Sequence, residues 1–152
     1  MSVKILLVDD QKIVRNLLGA LIKNTPGMKV VAEAENGRTA IKLALQFRPD
    51  VIVMDIIMPE LNGIDATCRI VEEFPGTKVI ALSMYSDEHM VLGMLEAGAS
   101  GYLLKDQMFE ELIIAIRTVL DNEVYLSPQI EGSVSKDIEK NTCRNNSGSQ
   151  PC

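Results

Sequence analysis

The chain is short of cysteine, of histidine, of long apolar runs and of surplus positive charge, and each shortage closes off a class of protein. Its three cysteines are Cys68, Cys143 and Cys152, two of them in the last ten residues, and no CxxC occurs. That count and spacing do not make a disulfide-stapled secreted framework or a zinc site. Cys68 is expected to be a small semi-buried residue with no redox role. The one histidine, His89, falls in the first turn of a helical segment, where a solvated side chain is the expected reading. No apolar run approaches the roughly 18–20 residues that span a bilayer. The N-terminal MSVKILLVDD is apolar for six residues before two acids interrupt it, unlike a signal peptide. A formal net charge of −6 and a pI of about 4.8 leave no electrostatic footprint for nucleic acid. The expectation is a cytoplasmic protein with no membrane partner and no direct nucleic-acid binding.

What is present is enough apolar residue for a core. Hydrophobic residues make up 47% of 152, a length that suits one domain. Five short runs are apolar at nearly every position: VKILLV (3–8), MKVVAEA (28–34), VIVMD (51–55), KVIALS (78–83) and GYLL (101–104). Such runs suit strands buried on both faces, as in parallel sheets. Helical patterns separate them. In 11–24, Val14, Leu17, Leu18 and Leu21 form a stripe at helical spacing, and in 37–47 Ala40, Ile41, Ala44 and Leu45 do the same. Segments 63–74, 87–97 and 107–121 complete the series, with Ser86 or Asp87 and then Asp106 as expected N-caps and Gly98 as a stop. The order is (βα)5, and right-handed crossovers place helices on both faces of the sheet. After Pro128 the composition turns to Ser, Asn, Gly, Lys and Glu, so 1–130 reads as the domain and 131–152 as a disordered tail.

Folds of this order bind ligands at the carboxyl ends of the strands. Asp9 and Asp10 end the first strand, Asp55 the third and Ser83 the fourth, and Lys105 follows the fifth. All five therefore converge on one crevice. Three carboxylates in partly buried space call for a hard divalent cation, which takes oxygen ligands. A carboxylate nucleophile, a metal, a cation and a hydroxyl donor are the parts that phosphoryl transfer needs.

These residues carry a family resemblance. Through LLVDDQ, VIVMDIIMPELNGIDA, VIALSMY and AGASGYLLKD, the sequence resembles the receiver domain of bacterial two-component response regulators over residues 3 to about 130. The resemblance implies a CheY-like, flavodoxin-like fold, a doubly wound parallel five-stranded sheet in the order 2-1-3-4-5. It implies that Asp55 accepts a phosphoryl group from a phosphohistidine on a sensor histidine kinase or phosphotransfer protein. Asp9, Asp10, Asp55 and the backbone carbonyl of Ile57 would hold Mg2+ or Mn2+. Lys105 would pair with the phosphoryl group, and Ser83 and Tyr102 would form a switch pair. Such a protein is a phosphoacceptor switch rather than an enzyme, with at most slow self-dephosphorylation. A homodimer would form through helix 4, strand 5 and helix 5, or through helices 1 and 5. Lys12, Arg15, Asn16 and Gly19 of helix 1 are expected to face the kinase.

The exit sequence NEVYLSPQI resembles the NarL/FixJ-like subfamily, whose members carry a C-terminal helix-turn-helix reader. Two departures stand out. Lys105 is followed by Asp106 where many receivers have proline, though this subfamily commonly lacks it. After LSPQI no helical apolar period follows, so the chain reads as a stand-alone receiver or as one whose output domain is absent. Rival readings fare worse. An aspartyl phosphatase would place a second Asp where Ile57 stands. A flavin carrier would need a phosphate-binding loop where DDQK stands. A pseudo-receiver acting only as a protein-interaction module would have no use for all five pocket residues.

Overall fold

The computed structural model describes residues 2–58, 61–84, 88–128 and 130. Strands β1 (Val3–Val8), β2 (Met28–Ala34), β3 (Val51–Asp55), β4 (Lys78–Ser83) and β5 (Gly101–Leu104) fall on the five apolar runs. Between and after them run α1 (Lys12–Lys23), α2 (Gly37–Phe47), α3 (Gly63–Glu73), α4 (Glu88–Glu96) and α5 (Met108–Leu120). A short sixth strand, β6 (Tyr125–Leu126), was not expected. The sheet order is β2-β1-β3-β4-β5-β6 and every pairing is parallel. The expected order 2-1-3-4-5 therefore holds, with one strand added beside β5.

Strand alternation builds two cores from one sheet. Ile5 and Leu7 of β1, Val51 and Val53 of β3, Ile80 and Leu82 of β4 and Leu103 of β5 face one side. There they meet Val14, Leu18 and Ile22 of α1 and Leu112, Ala115, Ile116 and Val119 of α5. Leu6, Val8, Ile52, Met54, Ala81, Tyr102 and Leu104 face the other side. They meet Ala40 and Ala44 of α2, Ala66 and Ile70 of α3, and Val91 and Met94 of α4. Each fully buried aliphatic side chain contributes about 1.5–3 kcal/mol. Burial on both faces is why these strands read as continuous apolar runs.

Helix ends follow local chemistry. Asn36 Oδ1 accepts from the Thr39 N–H at 2.9 Å to start α2, and Asn62 Oδ1 accepts from the Asp65 N–H at 2.9 Å to start α3. Each such cap contributes about 1 kcal/mol. Past α4, Gly98 takes φ +108°, and a Cβ there would sit 2.7 Å from Val71 Cγ1, so glycine is required. The cap expected at Ser86 or Asp87 lies outside the described residues. Asp106 is not the cap of α5. A 3₁₀ turn over Lys105–Gln107 intervenes, and Gln107 takes the N-cap position without a side-chain bond. The turn leaves Lys105 at the end of β5, and the helix begins at Met108, one residue later than expected. Cys68 on α3 is 8% exposed, more deeply buried than the semi-buried position expected. His89 is exposed, as expected. The tail expected at 131–152 lies outside the described residues, and among the described residues no helix is long and apolar enough to cross a membrane.

Candidate functional site

The site forms where β1, β3, β4 and β5 end. Leaving β1, Asp9 donates its N–H to the Ala34 carbonyl at 3.0 Å, which ties the loop to the end of β2. Its Oδ1 accepts from the Gln11 N–H at 2.8 Å. Asp9 is buried and Asp10 is exposed. The chain turns between them, so both acids reach the crevice despite strand alternation. Asp55 closes β3 and is buried. It pairs in register with Leu82, while Ser83 pairs with Leu104, so Asp55, Ser83 and Lys105 step across three neighbouring strands.

One carboxylate oxygen from each of Asp9, Asp10 and Asp55 lies within 4.8 Å of the others. The Lys105 ammonium closes the group from β5, at 3.1 Å from Asp9 Oδ2 and 3.2 Å from Asp55 Oδ2. Its bond to Asp55 has hydrogen-bond geometry, whereas its contact with Asp9 is ionic only, and Asp9 Oδ2 accepts no hydrogen bond. The other Asp55 oxygen, Oδ1, accepts from the Ile57 N–H at 3.3 Å. Two like charges about 5 Å apart repel by about 3 kcal/mol at an effective dielectric of about 20, so one ammonium does not offset three carboxylates.

The titration of the site reflects that imbalance. Burial, and then the charge of Asp9, push the Asp55 carboxyl up from 3.8 to about 6, against the pull of Lys105. For Lys105, burial works against the ammonium, but Asp55 and Asp9 outweigh it and its pKa lies above the ordinary 10.5. Near neutral pH Asp55 is therefore an ionised carboxylate held in a crowded acidic pocket.

The sequence-predicted residues Asp9, Asp10, Asp55 and Lys105 come together as expected. Ser83 is buried at the end of β4, and Tyr102 is buried among the side chains packed against α4. The expected helix-1 surface needs correction at Arg15. Rather than facing a partner, Arg15 is 6% exposed, donates from Nη1 to the Asp9 carbonyl at 2.6 Å and pairs through Nε with Glu33 Oε1 at 3.0 Å. Glu33 and Glu35 alternate along and just past β2 and draw the guanidinium inward. The exposed positions of α1 are instead Lys12, Ile13, Asn16, Leu17, Ala20 and Lys23. Sequence reasoning also missed Gly63, whose N–H donates to the Ile56 carbonyl at 2.8 Å. A Cβ there would clash with the Asp55 carbonyl oxygen and lie 2.7 Å from Ile56 Cα. The signal was the Asn62-Gly63 pair opening a helix one short loop after the buried acid.

Comparison with known proteins agrees with this geometry. The family described as "Response regulator receiver domain" matches residues 5–117. The chain belongs to this family. It is 36% identical over 139 residues to the transcriptional regulatory protein DegU of Brevibacillus brevis, covering 91% of this chain and 59% of that protein. It is 39% identical over 140 residues to the oxygen regulatory protein NreC of Staphylococcus carnosus, covering 91% and 64%. The chain thus spans about six tenths of the length of these relatives. Among solved structures, a LuxR-family two-component response regulator from Aurantimonas sp. SI85-9A1 superposes with a TM-score of 0.85 at 34% identity, covering 91% of this chain and 99% of that one. This receiver is therefore close to the NarL/LuxR-type two-component response regulators.

Proposed function

We propose that this receiver is a phosphorylation-controlled switch in which Asp55 accepts a phosphoryl group from a phosphohistidine on a sensor histidine kinase or phosphotransfer protein. The observation that carries the reading is the placement of Asp55: a buried carboxylate 3.2 Å from the Lys105 ammonium, with two further carboxylates within 4.8 Å. A phosphoacceptor needs an ionised nucleophile and charge compensation for the oxygens it receives. With a pKa of about 6, Asp55 is ionised near neutral pH without a general base.

The donor set fits a magnesium or manganese ion. It is all oxygen, its net charge is negative, and Asp9 Oδ2 is buried without a hydrogen-bond donor. Asp9, Asp10, Asp55 and the Ile57 carbonyl are the assigned ligands, the Ile57 backbone being tied to Asp55 through its N–H. When bound, the ion neutralises charge on the phosphoryl oxygens.

In the transfer, an Asp55 oxygen attacks phosphorus in line. The P–O bond forms as the P–N bond breaks, the electron pair stays on the imidazole nitrogen, and that nitrogen takes a proton from water. Lys105 releases its hold on the carboxylates to meet the phosphoryl oxygens, and the Ser83 hydroxyl donates to another. Withdrawal of Ser83 toward the phosphoryl group alters the packing around Tyr102, a two-state repacking of the kind that switches use. Residues 1–130 carry this chemistry. It is the same whether the receiver acts alone or, as in relatives named transcriptional regulators, controls an output module. Of the two homodimer faces, α1 with α5 is favoured, because these helices expose Ile13, Leu17, Phe109 and Ile114 whereas β6 occupies the edge of β5.

The test is the intact mass of the 152-residue chain after incubation with acetyl phosphate and Mg2+. The expected result is a gain of one phosphoryl group, blocked by EDTA and absent in Asp55→Asn. No gain, or a gain indifferent to EDTA, rejects the reading.

A further inference from the structure

The chain does not leave the domain where α5 ends. Asn122 takes a left-handed φ of +64° and turns it back toward the sheet. Tyr125 donates its N–H to the Ser100 carbonyl at 2.9 Å, and Tyr125 and Leu126 pair with Gly101 and Tyr102. Tyr125 Oη is fixed against Glu111 Oε1 of α5 at 2.7 Å. The β5–β6 pairing stops at Leu126, although Leu104 still has a backbone N–H to satisfy.

Ser127 completes the ladder. Its N–H donates to the Tyr102 carbonyl at 3.1 Å, and its Oγ accepts from the Leu104 N–H at 3.2 Å. In a continued parallel ladder the Ser127 carbonyl would take the Leu104 N–H, and here the hydroxyl oxygen takes it instead. Ser127 is fully buried, and its own carbonyl accepts from the Ile130 N–H at 2.8 Å. Ile130 is also fully buried, in the same cluster as Tyr102. Ser127 thus clasps β5 on both sides of Leu103, and the residue after Leu104 is Lys105.

We propose that Ser127 is a positioning residue for Lys105: by satisfying the last backbone donor of β5, it holds the strand end from which the ammonium reaches Asp9 and Asp55. The proposal rests on the reading of Asp55 as phosphoacceptor. Without the hydroxyl, the Leu104 N–H is a buried donor with no acceptor, and the strand end must shift to find one. The Lys105 ammonium stands 3.1 and 3.2 Å from its two carboxylates, so a shift of the strand end moves it out of contact. The coupling also runs in reverse, as linkage requires. Drawing Lys105 onto a phosphoryl group must alter the hold on Tyr125, Leu126 and Ser127.

The experiment compares full-length wild type, Ser127→Ala, Ser127→Thr and Tyr125→Phe by initial rate of mass gain across a series of acetyl phosphate concentrations at saturating Mg2+. Ser127→Ala is expected to lose about tenfold in maximal rate, within the range that misplacing a catalytic group produces. Ser127→Thr keeps the hydroxyl and is expected to restore the rate to within about twofold of wild type. Tyr125→Phe loosens the same segment at α5 but leaves the Leu104 N–H satisfied, so its rate should match wild type. A wild-type rate in Ser127→Ala overturns the proposal, and so does equal slowing of Ser127→Ala and Tyr125→Phe, which reports loosening alone. Should Ser127→Ala fail to fold, hydrogen exchange on wild type decides: protection at Leu104 and 125–127 must change on phosphorylation, and unchanged protection overturns the proposal. No mass gain in wild type instead overturns the assignment of Asp55.

Discussion

Replacing Asp55 by Asn should stabilise the metal-free protein, and the size of the effect follows from the site. The carboxyl titrates at 3.8 in an unfolded chain and at about 6 in the fold, chiefly because burial and the Asp9 charge disfavour its ionised form. At about 1.4 kcal/mol per pH unit, that rise corresponds to about 3 kcal/mol. The pocket opens to solvent at its mouth, so screening reduces the figure to about 1–2 kcal/mol. The sign is set by proton release. Below pH 3.8 both states hold the proton and the cost is absent. Between 3.8 and about 6 the unfolded chain releases it first, so stability falls as pH rises. Above that window the full cost remains, and Asn never incurs it. Thermal melts in EDTA should show the two proteins melting together near pH 4. They should separate by about 2–8 °C in favour of Asp55→Asn at pH 7, at about 2–4 °C per kcal/mol. Saturating Mg2+ should then raise wild type more than the variant, because ligand binding stabilises only the state that binds. A variant that melts below wild type at pH 7, or a gap independent of pH, would refute the electrostatic reasoning.

Three further outcomes are expected. Asp10→Asn removes one of three clustered oxygens and should weaken Mg2+ binding by at least about tenfold, since a paired charge is worth more than about 1.4 kcal/mol at this separation; unchanged affinity in a calorimetric titration would remove Asp10 from the ligand set. Gly63→Ala places a Cβ against the Asp55 carbonyl, and the displaced backbone should cost about 1–3 kcal/mol in urea unfolding and slow phosphorylation; a neutral result would show that the loop is not packed as described. A chain stopped at Ile130 should melt and accept phosphate like the full chain. One stopped at Val124 should lose about 1.5–3 kcal/mol for the burial of Ile130 alone. Equal stability of the two truncations would contradict the docking of this segment.

Much of this architecture was legible because burial on both faces is written into the strands. VIVMD and KVIALS have no polar face to confuse with a helix, and β1 to β5 span the residues read from the apolar runs. Strand order came from the resemblance, since periodicity does not report neighbours. The acids were legible for a related reason: a charge ending a fully apolar run has nowhere to go but the strand's end. What escaped notice was set by tertiary contacts. β6 has only two residues, too few to show a strand period, and it exists because β5 offers an edge and Asn122 turns the chain toward it. Arg15 looked like a surface cation because its partners, Glu33 and the Asp9 carbonyl, come from another strand and from a loop. The Asp106 cap failed because Lys105–Gln107 forms a 3₁₀ turn before α5, a choice that local propensity does not foretell.

The identity of the phosphorylated residue is the most direct test of the switch. After reaction with acetyl phosphate and Mg2+, borohydride reduces an aspartyl phosphate to homoserine, and peptide mass spectrometry reads its position. Homoserine is expected at position 55 and nowhere else. Homoserine in place of Asp9 or Asp10, or none in a chain that binds Mg2+, would contradict the assignment of Asp55 as the phosphoacceptor.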